Sequence, residues 1–237
     1  TCLTNILEQN KGMFIGPSFV WKSGSIPFSW FDGKESQYFN GFYGCASFFN
    51  CPQNYSFCFP LLSSCQDKLV YDATPHYLCL PYVAARIAAA TPNAKLIFIT
   101  RNPTDRAYSQ YQMYMRFYYQ IGAFKTTINK STTFRDIIRE SENGNNQIAE
   151  LATLKPNDGL PNNISHLQHP KSLLARGCYD QNIKRYEKYF PKNQIMQLNI
   201  EDLSKEKLPM TLIRLSNFLG VPNLKAESIM VNTGGYK

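Results

Sequence analysis

An α/β fold with a central parallel sheet is what this sequence of 237 residues predicts, and three features predict it. Residues 95–100, KLIFIT, form a short continuous apolar run of the kind that is buried on both faces of a parallel sheet. Residues 194–200, QIMQLNI, alternate well enough for a second strand. Helical patterns lie before, between and after these runs, and such alternation favours helices flanking a parallel sheet. A chain of this length reads as one domain, 1–237, with room for a substantial core.

Along the chain, residues 2–10 predict a short helix with Leu3, Ile6 and Leu7 on one face. Residues 11–65 are aromatic, rich in Gly, Ser and Cys, and poorly periodic, so they read as an irregular Cys-rich insertion of loops and turns. Residues 79–90, CLPYVAARIAAA, have high helix propensity, and Thr91-Pro92-Asn93 ends them. After KLIFIT comes Arg101-Asn102-Pro103 and a helix over 104–120, with Pro103 near its start where a missing N–H costs nothing. Residues 133–142 predict a helix, and 143–170, with many Asn, Gly and Pro, a long loop. Residues 172–189 predict one helix with Pro191 beyond its end. Residues 207–219 predict a last amphipathic helix stopped by Gly220.

Composition narrows the function. A hydrophobic content of 43% and 14% aromatics exclude a disordered chain. No apolar run reaches the length of a membrane span and no signal peptide is visible, so membrane attachment would come from an anchor outside this chain. The net charge of +8 favours anionic partners, but the basic residues do not gather into one run, which argues against nucleic acid. Of seven cysteines, Cys45, Cys51, Cys58 and Cys65 cluster without a CxxC pair. That spacing predicts a local disulfide cluster rather than a metal site, and hence an oxidising compartment. The odd count leaves at least one thiol free or paired outside the chain. Sequons at Asn54, Asn129 and Asn163 point to the same secretory lumen.

The segment that carries chemistry is KLIFITRNPTDRAYSQY, residues 95–111. A buried strand delivers Arg101 to its C-terminal end, where open α/β sheets bind ligands. The following helix offers N–H groups and a positive dipole end. Ser109 brings a hydroxyl, and a guanidinium with a hydroxyl can grip one phosphate from two sides. Arg106 adds a second positive charge nearby. The string Arg101-Asn102-Pro103-x-x-Arg106-Ala107-x-Ser109-x-Tyr111 resembles the 3′-phosphate-binding motif of sulfotransferases that use 3′-phosphoadenosine 5′-phosphosulfate (PAPS). YDATPHYLCLPYVAARI at 71–87, RGCYDQNIKRYEKYFPKNQIMQLNIEDL at 176–203 and SNFLGVP at 216–222 resemble further segments of that family, in the same order. The resemblance covers about 70–225 well and the first 70 residues patchily. It is stronger to Golgi carbohydrate enzymes of the heparan and chondroitin type than to small-molecule ones.

That resemblance implies a P-loop-like sulfotransferase fold, PAPS as donor, a glycan hydroxyl as acceptor and a Golgi or secretory-lumen location. It implies that Arg101 and Ser109 hold the 3′-phosphate and that Tyr179, after Arg176-Gly177, lines the cofactor or acceptor cleft. KESQYF resembles the segment that carries the base in heparan-type enzymes, which makes Glu35 the general base, with Lys34 as a charge beside it. His76 is a second candidate base, and Asp72 a residue that orients the acceptor or its base. Heparan-type relatives often carry a lysine where Ala73 stands here, which leaves their acceptor contacts open. No metal is required.

A loop for the 5′-phosphosulfate is missing ahead of Thr1. Either Thr1-Cys2-Leu3 is the tail of that loop, with Thr1 a cofactor contact and the first strand lying outside the sequence, or Trp21-Lys22-Ser23-Gly24-Ser25 is the loop. Rival functions are sulfation of a small molecule or peptidyl tyrosine, a nucleotide kinase-like phosphotransferase, and a non-catalytic glycan-binding family member. The kinase-like rival lacks a Walker G-x-x-x-x-G-K-[ST] string.

Overall fold

A computed structural model describes residues 2–17, 35–40, 52–60, 67–122, 128–150 and 172–226. Its helices are α1 (Cys2–Gln9), α2 (Val83–Ala90), α3 (Pro103–Ile121), α4 (Phe134–Glu150), α5 (Leu173–Gly177), α6 (Tyr179–Glu187) and α7 (Leu208–Leu219). Its strands are β1 (Phe14–Ile15), β2 (Leu69–Val70), β3 (Leu96–Thr100) and β4 (Ile195–Asn199).

The two predicted strands are β3 and β4, and they pair in parallel from Leu96 with Ile195 to Thr100 with Asn199. Side chains alternate across a strand, so each face of this pair collects a different set. Phe98 and the partly buried Leu96 and Ile195 pack with Val83 and Ile87 of α2 and Ile183 and Tyr186 of α6. Leu198 and the partly buried Ile97, Ile99 and Met196 pack with Ile6 and Leu7 of α1 and Leu208 and Leu215 of α7. Helices on both sides explain why β3 reads as an unbroken apolar run. A third cluster joins α3, α4 and α5 through Ala107, Tyr114, Met115, Ile137 and Leu173.

Several boundaries differ from expectation for identifiable reasons. Residues 75–79 form a 3-10 helix started by Pro75, so the Ala-rich helix begins at Val83 rather than at 79. Helix α4 runs on to Glu150, into the segment expected to be a loop. The expected single helix over 172–189 breaks at Cys178, whose φ of −78° and ψ of 58° are not helical. Gly220 closes α7 in the left-handed region, as its place after the last apolar residue predicted.

Within the stretch read as irregular, Phe14 and Ile15 make a second parallel pair with Leu69 and Val70. Among the described residues the strands thus form two separate parallel pairs. Residues 52–58 form a 3-10 helix ending at Cys58. That thiol corrects the disulfide expectation at its own position: Cys58, Cys79 and Cys178 are free. Burial and the nearby Asp72 carboxylate push the Cys58 thiol up to about 12, which leaves it protonated and unreactive. Cys45, Cys51 and Cys65 lie outside the described residues.

Leu198 is 2% exposed at the centre of the α1/α7 face. Leu198→Ala is expected to destabilise the fold by about 2–5 kcal/mol, read as a shift of the urea midpoint at unchanged slope.

Candidate active site

The C-terminal ends of β3 and β4 open into a cleft of about 400 Å³. Thr100 and Asn199, paired in register, form its floor, and Arg101-Asn102-Pro103 leads the chain out along one side. Tyr179, Asp180, Ile183 and Lys184 of α6 form another wall. The sequence-predicted Arg101 and Tyr179 therefore share one cleft. Burial raises the pKa of the Tyr179 phenol, against the opposing pull of Arg106 and Arg101 beside it.

Gly177 makes this approach possible. A Cβ on it would lie 3.2 Å from the Pro103 side chain, so its hydrogen lets the α5–α6 corner rest on the start of α3. Arg101 is exposed, and among the described residues no hydrogen bond or ion pair holds its guanidinium. Lys184, by contrast, is paired with Asp180 at 2.8 Å, both side chains well exposed.

The first turn of α3 is already satisfied from within. The Asn102 side chain accepts from the N–H groups of Thr104 (2.9 Å) and Asp105 (3.3 Å). Arg106 N–H donates to the Asn102 carbonyl, and Pro103 has no N–H. An anion here would meet the Arg101 guanidinium and the dipole rather than vacant N–H groups, which corrects the expectation that the helix start offers them. Asn before Pro at a helix start is a capping signal that could have been read from sequence. Ser109 lies farther along α3 and is half-buried.

Arg106 does not supply the second cleft charge expected of it. Its Nη1 donates to Gln110 and its Nη2 to the Leu173 carbonyl, tying α3 to α5. Burial, with Arg176 close by, lowers its pKa from the usual guanidinium value.

A second constellation surrounds Glu35. Gln37 Nε2 donates to Glu35 Oε2 at 2.6 Å, and Asn40 Nδ2 donates to Gln37 Oε1. Gln37 is fully buried and sits at φ 53°, a left-handed conformation that costs a non-glycine residue about 1 kcal/mol. The segment is held by Asp72, whose extent as a hub sequence reading did not foresee. Asp72 Oδ1 accepts from Ser36 N–H (3.1 Å), Thr74 N–H (3.2 Å) and Thr74 Oγ1 (2.7 Å). Asp72 Oδ2 accepts from Ser36 Oγ, Tyr55 OH (3.2 Å) and Tyr77 OH (3.0 Å).

His76 lies on the 3-10 helix 75–79, and its buried Nδ1 has no hydrogen-bond partner among the described residues. Burial, then the charge of Arg176, holds its pKa well below the usual imidazole value, so it is neutral. Lys34 and Thr1 lie outside the described residues, as do the Trp21–Ser25 string and the loop histidines His166 and His169.

The folded chain refuses His76 a proton that the unfolded chain accepts near pH 6.5. Stability is therefore expected to fall as pH drops below about 6.5, with a shallower fall in His76→Gln. Urea titrations of both chains between pH 7 and 5 check this, and equal slopes would sink it.

The family described as "Sulfotransferase domain" matches residues 74–233. Bifunctional heparan sulfate N-deacetylase/N-sulfotransferase 1 of Xenopus laevis is 28% identical over 166 residues, covering 70% of this chain and 16% of that protein. Membrane-associated sulfotransferase kil1 of Dictyostelium discoideum is 38% identical over 79 residues, covering 33% of this chain and 16% of its own length. The chain thus spans about a sixth of the length of these relatives. The crystal structure of a sulfotransferase from Alicyclobacillus acidocaldarius, 19% identical, superposes with a TM-score of 0.58 over 97% of this chain and 82% of that one, and so shares the fold. With more than half of its length matched, the chain belongs to the sulfotransferase domain family.

Proposed function

We propose that this chain transfers a sulfuryl group from PAPS to a carbohydrate acceptor. The observation that carries the reading is the meeting of Arg101 and Tyr179 at the sheet-end cleft, within a string that resembles the family's 3′-phosphate motif. Arg101, with Ser109 from α3, binds the donor's 3′-phosphate in this reading, and Tyr179 lines the cleft. The acceptor oxygen or nitrogen attacks sulfur in line, the bond from sulfur to the bridging oxygen breaks, and adenosine 3′,5′-bisphosphate leaves. Glu35 takes the acceptor's proton. Its carboxylate is half-buried and oriented by Gln37, whereas His76, half-buried with its Nδ1 enclosed, is held neutral by desolvation and the charge of Arg176, a place that suits packing. Lys34 is kept as a charge beside the base, and Thr1 as a contact of the donor's phosphosulfate end.

The heparan sulfate N-sulfotransferases among the relatives favour a glycan acceptor, with nitrogen as an alternative to the expected hydroxyl. A Golgi or secretory lumen is the location this implies. There the Asn129 sequon is an accessible one, since Asn129 is exposed at a turn, where its side chain accepts from Ser131.

Two variants separate the roles. Arg101→Ala is expected to weaken calorimetric binding of adenosine 3′,5′-bisphosphate by about 10- to 100-fold, the worth of a charge-assisted hydrogen bond. Glu35→Gln is expected to leave that binding intact and to lower kcat by about a hundredfold or more, with radiolabelled PAPS and N-deacetylated heparosan, which offers both amines and hydroxyls. Unchanged nucleotide binding in Arg101→Ala would overturn the donor site, and unchanged kcat in Glu35→Gln the base.

A further inference from the structure

We propose that Asp72 is the positioning residue for the base at Glu35, holding the segment 36–39 in place through every one of its backbone N–H groups. The proposal deepens the assignment of Glu35 as base and rests on it.

Residues 35–40 form neither helix nor strand, so their N–H groups need partners elsewhere. Four consecutive donors find them in one network. Ser36 N–H donates directly to Asp72 Oδ1. Gln37 N–H donates to Thr74 Oγ1 (3.1 Å), whose own hydrogen goes to Asp72. Tyr38 N–H donates to Ser36 Oγ (3.2 Å), which in turn donates to Asp72. Phe39 N–H donates to Tyr77 OH (3.3 Å), which also donates to Asp72.

The carboxylate thus acts once directly and three times through hydroxyls. It takes their hydrogens and so turns their lone pairs toward the backbone. A carboxylate is acceptor-only, which is what this arrangement needs. An amide of the same shape would present N–H groups to hydroxyls that must themselves donate. Burial and the Asp72 charge raise the pKa of the Tyr77 and Tyr55 phenols, so both remain donors. From the anchored backbone, the buried Gln37 side chain reaches Glu35 and fixes one carboxylate oxygen. Asp72 acts through the loop and through Gln37. Its hydrogen bonds described above go to Ser36, Tyr55, Thr74 and Tyr77, and the sheet-end cleft lined by Arg101 does not include it.

Hydrogen exchange and kinetics on Asp72→Asn test this. The amides of Ser36, Gln37, Tyr38 and Phe39 are expected to exchange at least about tenfold faster, while those of β3 and β4 and the affinity for adenosine 3′,5′-bisphosphate stay unchanged. With PAPS and N-deacetylated heparosan, kcat is expected to fall about a hundredfold with little change in the KM for PAPS. The Asp72→Asn, Glu35→Gln double variant should be no slower than Glu35→Gln alone, because the two act as one unit.

Unaltered exchange at 36–39 overturns the proposal without reference to activity. Losses that multiply in the double variant, or a kcat that survives Asp72→Asn while Glu35→Gln is crippled, overturn it and leave Glu35 as the base. A fully active Glu35→Gln overturns the base and this role for Asp72 together. If Asp72→Asn does not fold, Ser36→Ala serves, since it keeps the carboxylate and removes the acceptor of Tyr38 N–H. Faster exchange at Tyr38 and a non-additive loss with Glu35→Gln are expected of it, and neither appearing overturns the proposal.

Discussion

The parallel pairing of Leu96–Thr100 with Ile195–Asn199 joins distant segments into a strip that is apolar on both faces. Such a strip is stable only when both faces are covered, and α2 with α6 on one side and α1 with α7 on the other do this. The covering layers also decide where the strip can be open. Where the pairing stops, at Thr100 and Asn199, a cleft begins, and the residue next in sequence is Arg101. The guanidinium is exposed because the strand that carries it has run out of buried positions. The same layers bring Tyr179 to the cleft, since α6 starts where Gly177 rests on Pro103.

Much of this was legible because it is local. KLIFIT and QIMQLNI are short and apolar enough to be strands, Gly220 sits where a helix must stop, and Arg101 follows a strand directly. What was not legible depends on contacts across the chain. The network on Asp72 joins residues 36, 55, 74 and 77, and no periodicity marks those positions in advance. Cys58 looked like a disulfide partner by spacing alone. Its place in the core beside Tyr77 and Cys79, near the Asp72 carboxylate, makes it a buried thiol instead. Arg106 looked like a cleft charge because it stands near Arg101 in sequence. On a helix, though, a residue five positions on faces elsewhere, and Arg106 meets the Leu173 carbonyl. Helix α4 runs past its expected end even though Asn and Gly residues lower the helix propensity of its second half, the feature that made the sequence read as a loop there.

The two halves of the candidate site are built by different physics. The Arg101 side is positioned by regular structure: strand ends, a capped helix and a glycine contact, each fixed by backbone geometry. The Glu35 side has no regular structure to rely on. Its backbone N–H groups are satisfied by side chains around one half-buried carboxylate, and the aromatic rings of Tyr38, Phe39, Tyr55 and Tyr77 pack around that network. A fully paired polar network of this kind is rigid, and a partly paired one is costly, so it tolerates change poorly once set.

This division has a consequence for how such a domain can vary. A strand end followed by a capped helix presents Arg101 at the cleft with few residues. A loop hung on side-chain hydrogen bonds can be re-aimed by changing one or two partners without disturbing β3 or β4. Ala73 illustrates the point. It stands between Asp72 and Thr74, the two residues that anchor the segment 36–39. The anchor residues on either side accept the same N–H groups whatever side chain lies between them, because only the Asp72 carboxylate and the Thr74 hydroxyl enter the network. The side chain between them can therefore vary without disturbing the hydrogen bonds that hold the segment 36–39.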